Sequence, residues 1–376
     1  MKPAFPADIE SLNCDWLNSV LLQSGQLESG SVAGFSFEEM NGGYTSTVYR
    51  LQICYESPIG LAPESAVIKF HSKSRTIRET FQYLDIYQKE VHFYQFIDSA
   101  LELPVPACYA AEYDPNSGDF VLLLEDLSAA RLGSWKHDSI GDTKIALPQL
   151  AKIHAKFWGD SALKDYGWIV EPTEVPTSDV IGTEWIKNLA QAKSAHRDQW
   201  PDHIWKVCDK IEAHWDSIMR YMNQSSHTLV HTDSHLGQMF FPTEELPRYY
   251  LFDWQFPSKA LAAEDVVHLI VNDLSIEDRR EHEAELIDLY FESLRRHGVT
   301  DFSREKLWFQ CKLSLMWLIL MNFRTIANPD LLKIMKAEAD ESEENWQDWV
   351  FGLFGPTIED WDLSGVIDQV VKQSRS

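Results

Sequence analysis

The chain has 376 residues, and 44% of them are hydrophobic, enough for a real core in two domains or in one large two-lobed domain. Its formal net charge is −25 and no run of Lys and Arg interrupts the acidic balance, which excludes a nucleic-acid surface or an anionic-membrane surface and leaves neutral or cationic small molecules as the partners to expect. Cys14, Cys54, Cys108, Cys208 and Cys311 are scattered with no CxxC pair, so the usage predicts no disulfide framework and no zinc knuckle, and it fits a cytoplasmic protein.

In chain order, the opening MKPAFPADIESLNCDW has no apolar stretch of the signal-peptide kind. Gly42 and Gly43 then introduce TSTVYRLQICY (45–55), which is rich in Thr, Val, Tyr and Ile and reads as a strand. The pair, with Ser46 and Thr47, forms a turn where backbone N–H groups can approach phosphates, because glycine has no Cβ in the way. SAVIKF (65–70) is a short apolar strand ending in Lys69, within reach of nucleotide phosphates. A helix is predicted over 76–97, with Ile86, Glu90, Phe93 and Ile97 on one face. A carboxylate on an apolar face needs a partner, because burying it alone is costly. Lys69 is that partner for Glu90; Glu79 on the same helix is the rival. FVLLLEDL (120–127) is a further strand, bounded by the turn-like DPNSGD.

After residue 127 the character changes. Helices are predicted over 146–158, around 185–195, and over 204–222, 264–273, 277–297, 304–326 and 331–353. The longest apolar run, LSLMWLILM (313–321), is too short for a bilayer span of about 20 residues. The sequence therefore divides into a small β-rich lobe, 1–127, for nucleotide, and a large helical lobe, 128–376, for catalysis and substrate. That is an α+β fold. Trp158, Trp185 and Trp317 are aromatic candidates for a substrate pocket, with core packing the simpler role.

One segment interrupts the helices. HTDSHLGQMFF (231–241) reads as loop then strand, PTEELP (242–247) as a turn, and RYYLFDW (248–254) as the return strand. Pairing 236–241 with 248–254 brings Gln238 towards Asp253, with Asp233 at the mouth of the hairpin. An acid on a loop, an amide and a second acid are what phosphoryl transfer requires. Asp233 orients a substrate hydroxyl and takes its proton, while Gln238 and Asp253 offer oxygens to Mg²⁺ on the phosphates of ATP. A zinc reading of His231 and His235 needs both on one helix, and no Glu follows the first histidine as in HExxH.

These segments together resemble the aminoglycoside phosphotransferase/choline kinase superfamily, in its ecdysteroid-kinase-like branch. The motifs are GGYTSTVYRLQICY, VIKF, KEVHFYQFI, LLLEDLSAAR, LAKIHAKFWGD, HTDSHLGQMFF and LFDWQ. The resemblance spans about 38–326 and implies a protein-kinase-like, two-lobed fold. It implies an ATP- and Mg²⁺-dependent kinase acting on a small-molecule alcohol, a cationic one being favoured by the acidic balance. It also implies that the segment containing Glu125 and Leu127 underlies the adenine. Two positions depart from the family pattern: Gln238 stands for the metal-binding Asn, and Thr232 for the glycine after the first histidine. The departures leave a nucleotide-binding relative without turnover as the second reading.

Overall fold

The computed structural model describes residues 5–40, 45–98, 103–169, 185–198, 200–327, 332–333, 336 and 346–374. The Gly42–Gly43 turn, the Trp185 side chain and most of the first fifteen residues of the helix expected over 331–353 lie outside the described residues. Contacts divide the chain into two compact units. The first is Met1–Leu132 with Phe240–Pro257, and the second is Gly133–Met239 with Ser258–Ser376.

The first unit is a five-stranded antiparallel sheet with helices. Helix α1 (Cys14–Gln23) precedes β1 (Leu27–Glu39), β2 (Ser46–Gly60) and β3 (Ser65–His71). Helices α2 (Arg75–Tyr83) and α3 (Ile86–His92) lead to β4 (Cys108–Tyr113) and β5 (Phe120–Glu125). The strand order is β1-β2-β3-β5-β4. Side chains alternate across a strand, so the two faces of β3 carry different chemistry. Ala66, Ile68 and Phe70 are buried in one cluster with Leu51, Leu123 and, from α1, Leu17 and Leu21. Lys69 belongs to the opposite set, opposite Leu122 of β5 in register, and is itself buried.

The single helix expected over 76–97 is broken. Asp85 takes a left-handed conformation (φ 56°) between α2 and α3, and α3 continues as a π turn, Phe93–Asp98. Its expected core face survives: Ile86, Glu90, Phe93 and Ile97 are all at most 1% exposed. The restart is fixed by Tyr87, whose hydroxyl donates to the Thr45 carbonyl (2.7 Å) and whose ring stacks on Phe120. Strand β1 carries no strong sequence signal, because LESGSVAGFSFEE mixes Gly, Ser and Glu into an exposed edge strand.

The expected hairpin is also shorter than its sequence suggested. Leu236–Gln238 is a 3-10 turn, β8 begins at Met239 (Met239–Phe241), and β9 holds only Tyr250–Leu251. Strand β6 (Arg131–Leu132) pairs with β8 through Arg131↔Phe241 and Leu132↔Phe240. Gln238 is therefore on a turn rather than a strand. Asp253 follows the return strand in a left-handed conformation, φ 64°.

The second unit is helical. It contains α4 (Ser139–Lys156), α5 (Asp160–Leu163), α6 (Trp185–His196), α7 (Asp202–Ala213) and α8 (Trp215–Asn223). The helix expected over 204–222 divides at His214, between α7 and α8. A two-stranded pair, β7 (Thr228–Val230) with β10 (Ser258–Ala260), comes next. Helices α9 (Ala263–Val267), α10 (Ile276–Arg296), α11 (Arg304–Ala327), α12 (Trp346–Asp360) and α13 (Leu363–Gln373) complete it. Among the described residues no helix is long and apolar enough to cross a membrane, and no disulfide forms between the five cysteines.

Candidate active site

The first unit gathers three charged groups. Lys69 of β3 lies with its ammonium 2.8 Å from Glu90 Oε1 and in contact with Asp253 Oδ1. Burial pulls the Lys69 pKa down, but the carboxylates of Asp253 and Glu90 outweigh it and raise it, so the lysine stays protonated. Burial pushes Glu90 up to about 7, against the pull of Lys69. Glu79 is not the partner: it is exposed and pairs with Arg75 one turn away. Glu90 Oε2 is buried and makes no hydrogen bond among the described residues.

Asp253 is held from both sides in sequence. Trp254 stacks on Phe93 (centroids 4.1 Å apart, planes 8°) and donates its indole N–H to the Leu251 carbonyl. Gln255, 2% exposed, donates from Nε2 to Asp253 Oδ1 (2.7 Å). The Asp253 side chain remains 23% exposed. One of its oxygens is thus fixed by Lys69 and Gln255, and part of the carboxylate faces solvent.

Other expected nucleotide residues fall in the same unit. Ser46 is buried and its hydroxyl has no hydrogen-bond partner among the described residues, and Thr47, opposite Phe70 in register, is half-buried. Glu125 ends β5, where its N–H donates to the Ala107 carbonyl and its carboxylate accepts from the Ala107 N–H. Leu127 is buried, and its carbonyl accepts from Ala130. Asp126 accepts from the Ser128 N–H and pairs with Arg50.

The second unit holds the loop 231–238. Its backbone is organised by one carboxylate, Asp265 of α9, which accepts from the N–H groups of His231 and Thr232 (2.8 Å each). The Asp265 carbonyl accepts from the Ser234 hydroxyl. Burial would raise the Asp265 pKa, but His154 (Nε2 3.1 Å away) and His231 hold it below the usual carboxylate range. His154 is fixed in turn by the Tyr290 hydroxyl, and its own carbonyl accepts from Thr228. At the far end, Asp273 accepts from the Leu236 N–H (2.8 Å).

Within that frame Asp233 keeps 30% of its side chain exposed. Gln238 Nε2 reaches its Oδ2 at 3.5 Å, His235 Nε2 stands 4.0 Å from Oδ2, and His268 Nε2 stands 3.9 Å from Oδ1. Burial works against ionisation, but the histidines, His235 first, bring its pKa down. Asp233 is therefore ionised at neutral pH. His231 and His235 each turn Nδ1 to a nearby backbone N–H, of Asp233 and Gly237. Thr232 has φ 73°, and its hydroxyl is buried without a partner among the described residues. A left-handed backbone suits glycine, so the β-branched residue here is strained by roughly 1–2 kcal/mol.

Asp265, His154, Asp273 and His268 carry this loop, and no motif in the sequence singles them out. A signal existed. Asp265 and His268 sit in the apolar run ALAAEDVVHLIV, where a buried charge calls for a partner just as Glu90 does. For the metal implied by the sequence, each unit offers a donor of the right kind: Asp253 a carboxylate in the first unit and Gln238 an amide oxygen in the second, both hard donors that Mg²⁺ takes.

A family model for the ecdysteroid kinase-like family matches residues 41–299. No curated protein matches the sequence. Among solved structures, a choline/ethanolamine kinase family protein of Mesorhizobium loti is 14% identical, over 90% of this chain and 93% of its own, with a TM-score of 0.51. A choline kinase of Streptococcus pneumoniae is 13% identical, over 92% of this chain and 97% of its own, also at 0.51. A putative aminoglycoside phosphotransferase of Ralstonia eutropha is 14% identical, over 95% and 97%, again at 0.51. At these identities the likeness is one of fold, that of the protein-kinase-like phosphotransferases.

Proposed function

The chain belongs to the ecdysteroid kinase-like family, and on that premise we propose that it is an ATP- and Mg²⁺-dependent kinase that phosphorylates a hydroxyl group of a small molecule. The observation that carries the reading is Lys69 held between two carboxylates, Glu90 and Asp253. A strand lysine paired with a helix glutamate, next to an acid able to hold a metal, is the arrangement by which kinases bind phosphates.

Each residue then has a task. Glu90 holds the Lys69 ammonium in place, and Lys69 binds phosphate oxygens of the nucleotide. The turn at Gly42, Gly43, Ser46 and Thr47 covers the phosphates, and the segment with Glu125 and Leu127 carries the base. Asp253 and Gln238 would hold Mg²⁺, which neutralises charge on the phosphates as it develops. Asp233, ionised and part-exposed, orients the acceptor hydroxyl and takes its proton. Asp265 and Asp273 keep the loop from collapsing onto that carboxylate, so most of the catalysis is positioning.

The acidic balance, −25, favours a cationic acceptor such as an amine-bearing alcohol. A second reading, a nucleotide-binding relative without turnover, draws on Gln238: its longer side chain spends its amide nitrogen on Asp233. Phosphorus NMR separates the two. The protein is incubated with ATP and Mg²⁺ against pooled alcohols, with Asp233→Asn as control. A phosphomonoester signal absent in the control supports the kinase. Tight ATP binding with no product in any pool, and none after Gln238→Asn, supports the relative.

A further inference from the structure

The helix that carries Asp265 changes form at His268. Helix α9 ends at Val267, and His268–Asn272 continues as a π turn. Bonding from i to i+5 brings residues five apart onto adjoining positions, as an α turn does for residues four apart. His268 and Asp273 have that spacing. Asp273 takes the Leu236 N–H, and His268 presents Nε2 to Asp233 Oδ1. His235 approaches the other oxygen, and the two imidazoles meet edge to face with centroids 6.2 Å apart. The Asp233 carboxylate therefore lies between two rings, one from its own loop and one from the π turn.

His268 is 8% exposed, and burial lowers its pKa. Asp233 and Asp265 oppose that shift, and His235 and His231 reinforce it. The ring is neutral at pH 7, so it has one N–H to give. We propose that His268 is a positioning residue for Asp233, its Nε2–H holding Oδ1 so that the carboxylate cannot rotate away from the acceptor hydroxyl. The inference rests on Asp233 being the base. The 3.9 Å separation exceeds a direct hydrogen bond, and catalytic contacts of this kind tighten when the substrate is in place.

The test uses the full chain with Mg·ATP and water as acceptor, following ADP. His268→Leu removes the donor, and His268→Gln restores an N–H near the Nε2 position. The expected result is a fall in kcat of about 10–100-fold for Leu with KM for ATP unchanged, and recovery of most of that loss by Gln. A ¹³C-histidine NMR titration supplies a second readout. Asp233→Asn removes the attracting charge, so the His268 resonance should titrate at lower pH. Leu turning over like wild type overturns the proposal. So do equal losses in Leu and Gln, which would mark a proton relay, and so does a His268 resonance indifferent to Asp233→Asn. The kinase reading is decided separately, by the pooled-alcohol experiment; if the wild type forms no ADP with water, the NMR titration alone decides the contact.

Discussion

Replacing Asp273 by Asn should change how stability depends on pH. Asp273 is 4% exposed, and its carboxyl is pushed up to about 7, by burial first, with Asp233 adding and His235 opposing. In the unfolded chain an aspartate titrates near ~3.9. The folded pKa is the higher one, so the native state binds the extra proton. The group's contribution is fully present below the unfolded pKa and is lost as pH rises through the folded one. The window is therefore pH 4 to 7, at about 1.4 kcal/mol per unit. Between pH 5 and pH 8 the wild type loses roughly 3 kcal/mol from this group alone. Asn keeps an oxygen for the Leu236 N–H and has no proton to lose. Urea unfolding of both proteins at pH 5 and pH 8 measures the difference, which cancels every other titrating group. The variant should gain on the wild type by about 3 kcal/mol across that interval. Identical pH slopes would refute the argument that burial, uncompensated by a cation, governs this carboxyl.

Thr232→Gly should raise the urea midpoint, because relief of the left-handed strain exceeds the added chain entropy by up to about 1 kcal/mol; a lower midpoint would show that the threonine is packed rather than strained. Glu90→Gln should weaken Mg·ATP binding, while Glu79→Gln should leave it unchanged, since of these two glutamates Glu90 touches Lys69 and Glu79 pairs with Arg75; calorimetric titration of both tests the pairing. Gln238→Asn should lower the Mg²⁺ concentration needed for half-maximal ADP formation, because the shorter amide withdraws from Asp233. No change in Mg²⁺ dependence would remove position 238 from the metal.

The parts of the site that could be read in the sequence were those in which one residue contradicts its surroundings. Glu90 on an apolar stripe required a cation, and the nearby strand lysine supplied it. The HTDSHLGQ and LFDWQ segments were legible as carriers of Asp233, Gln238 and Asp253. What escaped were features set by partners far away in the chain. His154 gains its role from Asp265, 111 residues on. The break at Asp85 carries no Gly or Pro to mark it, and is fixed by Tyr87 reaching back to Thr45. Gln238 was placed on a strand because alternation extends through residues 236–241. The N–H groups there are taken instead by Asp273 and by the His235 carbonyl, which curl the chain into a turn.

The first compact unit is built from two stretches of sequence, Met1–Leu132 and Phe240–Pro257. During synthesis, the chain emerges from its N-terminus at about 5–20 residues per second. The sheet can therefore form long before Trp254 arrives to stack on Phe93, and Lys69 must wait for Asp253 with Glu90 as its only carboxylate. More than a hundred residues of the second unit are made in between. A nascent chain stalled before residue 250 would carry the whole sheet and still lack one acid of its charged triad, so a truncated fragment ending near residue 132 is no substitute for the intact first unit.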